Sequence, residues 1–182
     1  MNAPWNDRLP ESLIVGGEER RIRTDYRAAL DICLALCDPE LDEYNRTMEL
    51  LEILYIDPVP PDCYKEAVAQ AMWYLRGGQE ERAGKGPQLV SWAQDFPYIA
   101  APISAVVGKD IRGIDMHWWS FLSAYMSIGD CLFAQIVRIR DKKARGKPLD
   151  KSDREFYRKN RDLIDIKKPL TEAEEQFLKE WM

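Results

Sequence analysis

The sequence predicts a mainly α protein, a single helical-bundle domain with a small N-terminal β-hairpin and a polar helical C-terminal arm. Three observations carry this. Seven segments place apolar residues at helical spacing, one pair of short runs flanks a Gly-Gly dipeptide, and Gly or Pro punctuates the segment ends. The composition agrees: of 182 residues, 46% are hydrophobic and 31% charged, which excludes collagen-like and broadly disordered chains. A chain of this length buries a core without metals or disulfides to staple it.

The hairpin is read over Ser12 to Arg23, where Gly16-Gly17 supplies the positive φ angles of a tight turn. Thr24 reads as the N-cap of a helix carrying Tyr26, Leu30, Cys33, Leu34 and Cys37. Asp38-Pro39 opens a second helix, since proline is tolerated at the first helical position, and Asp57-Pro-Val-Pro-Pro61 ends it. Pro61-Asp62 starts a third, through Ala67, Ala71 and Leu75, stopped by Gly77-Gly78. Residues 79–88 are glycine-rich and charged and read as a mobile loop. Between Val90 and Val107, Pro97 and Pro102 interrupt an apolar pattern and predict a short segment followed by a longer one.

Asp115 to about Arg145 is the strongest helical signal, apolar on most sides, as expected of the central helix of a bundle. Its last turns switch to Arg138, Arg140, Lys142, Lys143 and Arg145, so this end is expected to emerge into water. Ser152-Asp-Arg-Glu155 and Thr171-Glu-Ala-Glu174 are capping-box patterns, and the final helix pairs Phe177 with Trp181 at i,i+4. The expected organisation is an N-terminal tail over 1–11, a helical domain over 12–145 and a helical arm over 146–182.

No motif predicts catalysis, a cofactor or a metal. Gly84-Lys85 sits in a glycine-rich stretch, but the spacing is wrong for a phosphate-binding loop and Gly86 stands where Ser or Thr would hold magnesium. His117 is the only histidine. It lies two residues from Asp115, a spacing at which helical side chains do not face each other, so Asp115 is read as an N-cap and His117 as an edge-of-core residue. The cysteines, at 33, 37, 63 and 131, contain no CxxC and are expected to be reduced and buried. The longest uncharged stretches, Phe96–Gly108 and Met116–Gly129, are too short to cross a bilayer, and no apolar run follows the N-terminus, so a cytoplasmic location is expected.

Charge is distributed unevenly. Arg138 to Lys168 holds 13 basic and 6 acidic residues, a net +7, within a chain of net charge −5. Three readings stand open: a solvated helical arm with i,i+4 pairs, a basic surface docking on an acidic one, and a nucleic-acid patch. Six tryptophans and eight tyrosines are many for this length, and aromatics anchor interfaces, so Trp5, Trp92 and Trp181 outside the helical stripes are of interest.

Four local patterns fit one family together: Ile22-Arg-Thr-Asp-Tyr-Arg27, Asp95-Phe-Pro-Tyr-Ile99, Ile114-Asp-Met-His-Trp-Trp-Ser-Phe121 and Gln135-Ile-Val-Arg-Ile-Arg140. Over about residues 12–165 the chain resembles the bacteriophage gene-product-fifteen family of siphophage tail-module proteins. The resemblance implies a gene near that of the tape-measure protein, a position similar to that of tail assembly chaperones. It thereby implies a non-catalytic helical protein, without cofactor, that shields tape-measure helices in the host cytoplasm. Expected partners are the tape-measure protein, other phage tail proteins or a second copy of the chain, with no membrane. Contact is expected at Arg138, Arg140, Lys142, Lys143 and Arg145 and at Phe177 and Trp181. The alternative function is nucleic-acid binding by the basic 138–168 segment.

Overall fold

The fold is mainly α-helical, in a computed structural model that describes residues 8–80 and 86–167. The chain begins with strands β1 (Ser12–Val15) and β2 (Glu18–Arg21), followed by helices α1 (Tyr26–Cys37), α2 (Glu43–Leu54) and α3 (Tyr64–Leu75). After these come α4 (Trp92–Val107), α5 (Trp118–Met126), α6 (Leu132–Ala144), α7 (Lys151–Lys159) and α8 (Arg161–Ile164). Two compact units form: Met1–Arg82 with Asp115–Ser123, and Ala83–Ile114 with Ala124–Met182.

In the first unit the expected hairpin is present. Val15 pairs with Glu18 and Leu13 with Arg20, and Gly16 and Gly17 take φ of 62° and 75° in the turn. Beyond β2 the chain runs beside the segment that leaves α2: Arg23 N donates to Leu54 O and Ile56 N to Arg21 O. Asp25, not Thr24, caps α1 by accepting from Arg27 N. Asp42 caps α2 through Asn45 N, four residues after the expected start, because Asp38 instead closes a turn onto Glu40 N. A 3₁₀ turn at Pro61–Cys63 leads into α3, and Gly77 and Gly78 end it at φ of 69° and 79°. The core is aromatic. Tyr26 stacks on Phe121 with centroids 4.7 Å apart, and the Trp118 indole donates to Leu75 O at 3.0 Å.

The single long helix expected over 115–145 is two helices. Ser127 N and Ile128 N bond to carbonyls three residues back, the tightening that ends a helix, and Gly129-Asp130 follows with no propensity to continue it. Proline has the opposite outcome in α4, which runs unbroken through Pro97 and Pro102. Each interior proline costs about 3 kcal/mol. Burying a large aliphatic side chain returns about 1.5–3 kcal/mol, and Ile99 and Ile103 are both fully buried on one face of this helix.

In the second unit Ile136, Ile139 and Ile164 form a buried cluster covered by Tyr98, Leu149, Phe156, Tyr157 and Leu163. The described part of the 146–182 segment therefore packs on α6. Asp150, rather than Ser152, caps α7 by accepting from Asp153 N. None of the four cysteines is in a disulfide, and none is fully buried as expected: Cys33, Cys63 and Cys131 are half-buried and Cys37 is exposed. The 81–85 stretch of the glycine-rich loop, Trp5, the Thr171 capping box and the final helix lie outside the described residues.

Candidate functional site

The basic end of α6 is saturated with partners from its own unit. Arg140 lies among buried groups, 6% exposed, and its guanidinium makes a two-pronged contact with Asp95, 2.6 Å to Oδ2 and 2.9 Å to Oδ1. It also donates to the carbonyls of Leu89, Leu163 and Ile164. The planar five-donor fork of arginine suits this site, where lysine would leave acceptors unfilled. Asp95 is fully buried and accepts additionally from Ser91 N at the start of α4. Nearby, the Gln94 side chain donates to Leu163 O and Asp165 O and accepts from Lys167 N. A polar hub thus ties the N-terminus of α4 to the C-termini of α6 and α8.

The other four basic residues point outward yet are also paired. Arg138 and Lys142 both meet Asp153, which is buried, and Lys142 also reaches Asp150. Lys143 is bound to Asp165 and to the Tyr157 hydroxyl, and Arg145 meets Asp141 one turn earlier. Hydrogen bonding to Asp153 holds the Lys142 ammonium above its ordinary value. For Lys143, burial pulls downward but Asp165 and Tyr157 outweigh it. Arg140 does not emerge into water as expected, because Asp95 and three carbonyls supply what water would. Phe177 and Trp181 lie outside the described residues.

His117 serves packing. It precedes α5, its Nδ1 accepts from Trp119 N at 3.0 Å, and its Nε2 lies 3.0 Å from Pro10 O. With Nδ1 accepting, Nε2 carries the proton and donates. His117 rather than Asp115 therefore caps α5. Asp115 is fully exposed, 3.8 Å from Arg27.

A groove of about 750 Å³ opens in the first unit between α1, the end of α2 and the Ile22–Asp25 segment. Its apolar lining is Ile22, Ala28, Ile53 and Ile56, the last 48% exposed. Arg23 and Asp25 line it but are committed. Arg23 donates to the carbonyls of Glu52, Ile53 and Tyr55, and Asp25 caps α1 and binds Arg27. Asp31 on α1 and Glu49 and Glu52 on α2 are exposed and form no ion pair with any described residue. The spacing of Glu49 and Glu52 places them on one helix face beside Ile53, a signal readable in the sequence once α2 is known to begin at Glu43. Among the described residues, no group of three or more His, Cys, Asp or Glu side chains is placed to hold a metal ion, and no helix is long and apolar enough to cross a membrane.

The family model described as bacteriophage Gp15 protein matches residues 5–166. The chain belongs to the bacteriophage Gp15 family. No curated protein and no solved structure matches it. Membership points to a structural or assembly role in a phage. The four segments that resemble the Gp15 family meet in the fold as two pairs, one in each unit. In the first, Tyr26 N donates to Met116 O and Trp118 N to Thr24 O, joining residues 22–27 to 114–121. In the second, the Asp95–Arg140 pair joins 95–99 to 135–140. The most recognisable residues of this Gp15 chain are thus those that hold each unit together.

Proposed function

We propose that the protein is a non-catalytic tail assembly chaperone that binds the helical tape-measure protein in the host cytoplasm during phage tail assembly. The match to the bacteriophage Gp15 family over residues 5–166 is the observation that carries this reading. Helical surfaces with exposed apolar and charged side chains support it, since an extended helical client is held by many weak helix-in-groove contacts acting together. Of the contact residues expected from the sequence, Arg138, Lys142, Lys143 and Arg145 retain solvent-facing surface and remain in the proposal with Phe177 and Trp181. Arg140 leaves it, being buried.

The test is co-expression with the tape-measure protein of the same phage. Its soluble fraction is expected to rise with this chain present, and an unchanged fraction overturns the reading. The net +7 segment favours nucleic-acid binding as a second reading. Titration against duplex DNA at two salt concentrations separates the two, because phosphate contacts give a steep loss of affinity with salt. The ion pairs along α6 weigh against the DNA reading at Arg138 to Arg145, where each basic side chain already faces a carboxylate; Lys147, Lys151, Arg154, Arg158, Lys159 and Lys167 form no such pair with a described residue.

A further inference from the structure

We infer that the groove between α1 and the end of α2 is a docking site for an amphipathic helix bearing Lys or Arg beside its apolar stripe. This deepens the assembly reading and rests on it for the partner's helical form; the sign of the partner's charge follows from the groove alone.

The groove offers the two things such a helix needs. Its apolar strip, Ala28, Ile53 and the exposed Ile56, can bury the leucine-type side chains that recur at i, i+3, i+4 and i+7 of a docking helix. Its rim carries Asp31, Glu49 and Glu52, none in an ion pair with a described residue, while the one arginine in the lining, Arg23, donates to the carbonyls that end α2. With one arginine against the four carboxylates Asp25, Asp31, Glu49 and Glu52, the lining is net negative, and a cationic helix is its complement. The basic end of this chain's own α6 is a poor occupant, because Arg138, Lys142, Lys143 and Arg145 are already paired with Asp153, Asp165 and Asp141.

The experiment measures fluorescence anisotropy of two labelled amphipathic peptides of about 18 residues, long enough to populate a helix on binding. One is built of Leu and Lys, the other of Leu and Glu in the same pattern. The full chain is expected to bind the Lys peptide and not the Glu peptide. The variant E49K/E52K, changed only at exposed side chains, is expected to bind the Lys peptide about tenfold more weakly at low salt, with the gap narrowing as salt is raised. It is also expected to gain binding of the Glu peptide. Ile56→Asp is expected to weaken Lys-peptide binding in the wild-type background and Glu-peptide binding in E49K/E52K, and circular dichroism of each variant checks that the helices persist. Equal binding of the Lys peptide to wild type and E49K/E52K, or none to either, overturns the inference. Self-association of the chain that E49K/E52K abolishes, read by sedimentation velocity, also overturns it by naming a second copy as occupant. A failed co-expression result beside intact Lys-peptide selectivity sinks the chaperone reading and leaves the groove; the reverse pattern sinks the groove and leaves the chaperone.

Discussion

Removing Asp95 is the sharpest perturbation the structure offers. In Asp95→Ala the Arg140 guanidinium, 6% exposed, keeps its three carbonyl acceptors but loses both contacts to its counter-ion. Breaking a buried pair from one side costs about 3–5 kcal/mol, and the lost Ser91 N acceptor adds about 1 kcal/mol at the α4 N-terminus. Arg140→Met is expected to cost at least as much. It strands the fully buried Asp95 carboxylate and leaves Leu89 O and Ile164 O without their donor, at about 1–3 kcal/mol for each group left dry, while Leu163 O keeps the Gln94 amide. The double variant carries no stranded charge, so its cost is expected to fall short of the sum by about 3 kcal/mol. Its residual cost comes from the carbonyls of Leu89 and Ile164. Urea unfolding of all four proteins measures the cycle, with Trp92 fluorescence as a local probe because Trp92 packs against Tyr125 in the same unit. Additivity to within about 0.5 kcal/mol would refute a mutually dependent buried pair, as would a cost below about 1 kcal/mol for Asp95→Ala alone.

Two further outcomes follow from single sites. Gly78→Ala is expected to destabilise by more than the roughly 1–2 kcal/mol of a left-handed backbone, because φ is +79° and the new methyl would lie 2.7 Å from the Trp119 ring; thermal melts report it. Stability is also expected to fall in acid, measured by urea midpoints across pH. Hydrogen bonding to Arg21 holds the Asp57 carboxyl down at about 2, and Arg112 does the same for Asp110, also at about 2. A depressed carboxylate stabilises the fold above its unfolded value near 3.9, and that contribution disappears as pH falls through the folded value. The loss should therefore appear between about pH 4 and pH 2, and Asp57→Asn with Asp110→Asn should flatten it.

Most of the fold was legible in local signals, and the exceptions share a cause. Gly16-Gly17 and Gly77-Gly78 announce their turns because only glycine takes those φ values cheaply. Helix starts were misread wherever two cap-competent residues stood close together. Thr24 and Asp25, Asp38 and Asp42, and Asp150 and Ser152 each offer an oxygen, and tertiary placement decides which one meets a free N–H. The break between α5 and α6 was hidden by an apolar pattern that continues across Gly129, since period alone does not report where a chain bends. In α4 the prolines predicted an interruption that the burial of Ile99 and Ile103 overrides. The site was the least legible part. Composition reports that basic residues gather over 138–168, but whether they face solvent depends on where Asp95, Asp153 and Asp165 arrive in space.

That dependence decides which charges are still uncompensated when a partner arrives. The basic segment carries +7 by sequence, so the rest of the chain carries the acidic surplus that brings the whole to −5. Of the segment's cations, Lys147, Lys151, Arg154, Arg158, Lys159 and Lys167 form no ion pair with a described residue; the five from Arg138 to Arg145, inside the second unit, are met at short distance by Asp95, Asp141, Asp150, Asp153 and Asp165. On α1 and α2 the acids Asp31, Glu49 and Glu52 have no such neighbours among the described residues. Unpaired charge beside exposed apolar surface is what steers and then holds a complementary helix, whereas a cation already bound to its carboxylate must first be released. The docking proposal therefore rests on the uncompensated acids of α1 and α2, whereas Arg138, Lys142, Lys143 and Arg145 would each have to leave a carboxylate to serve a partner.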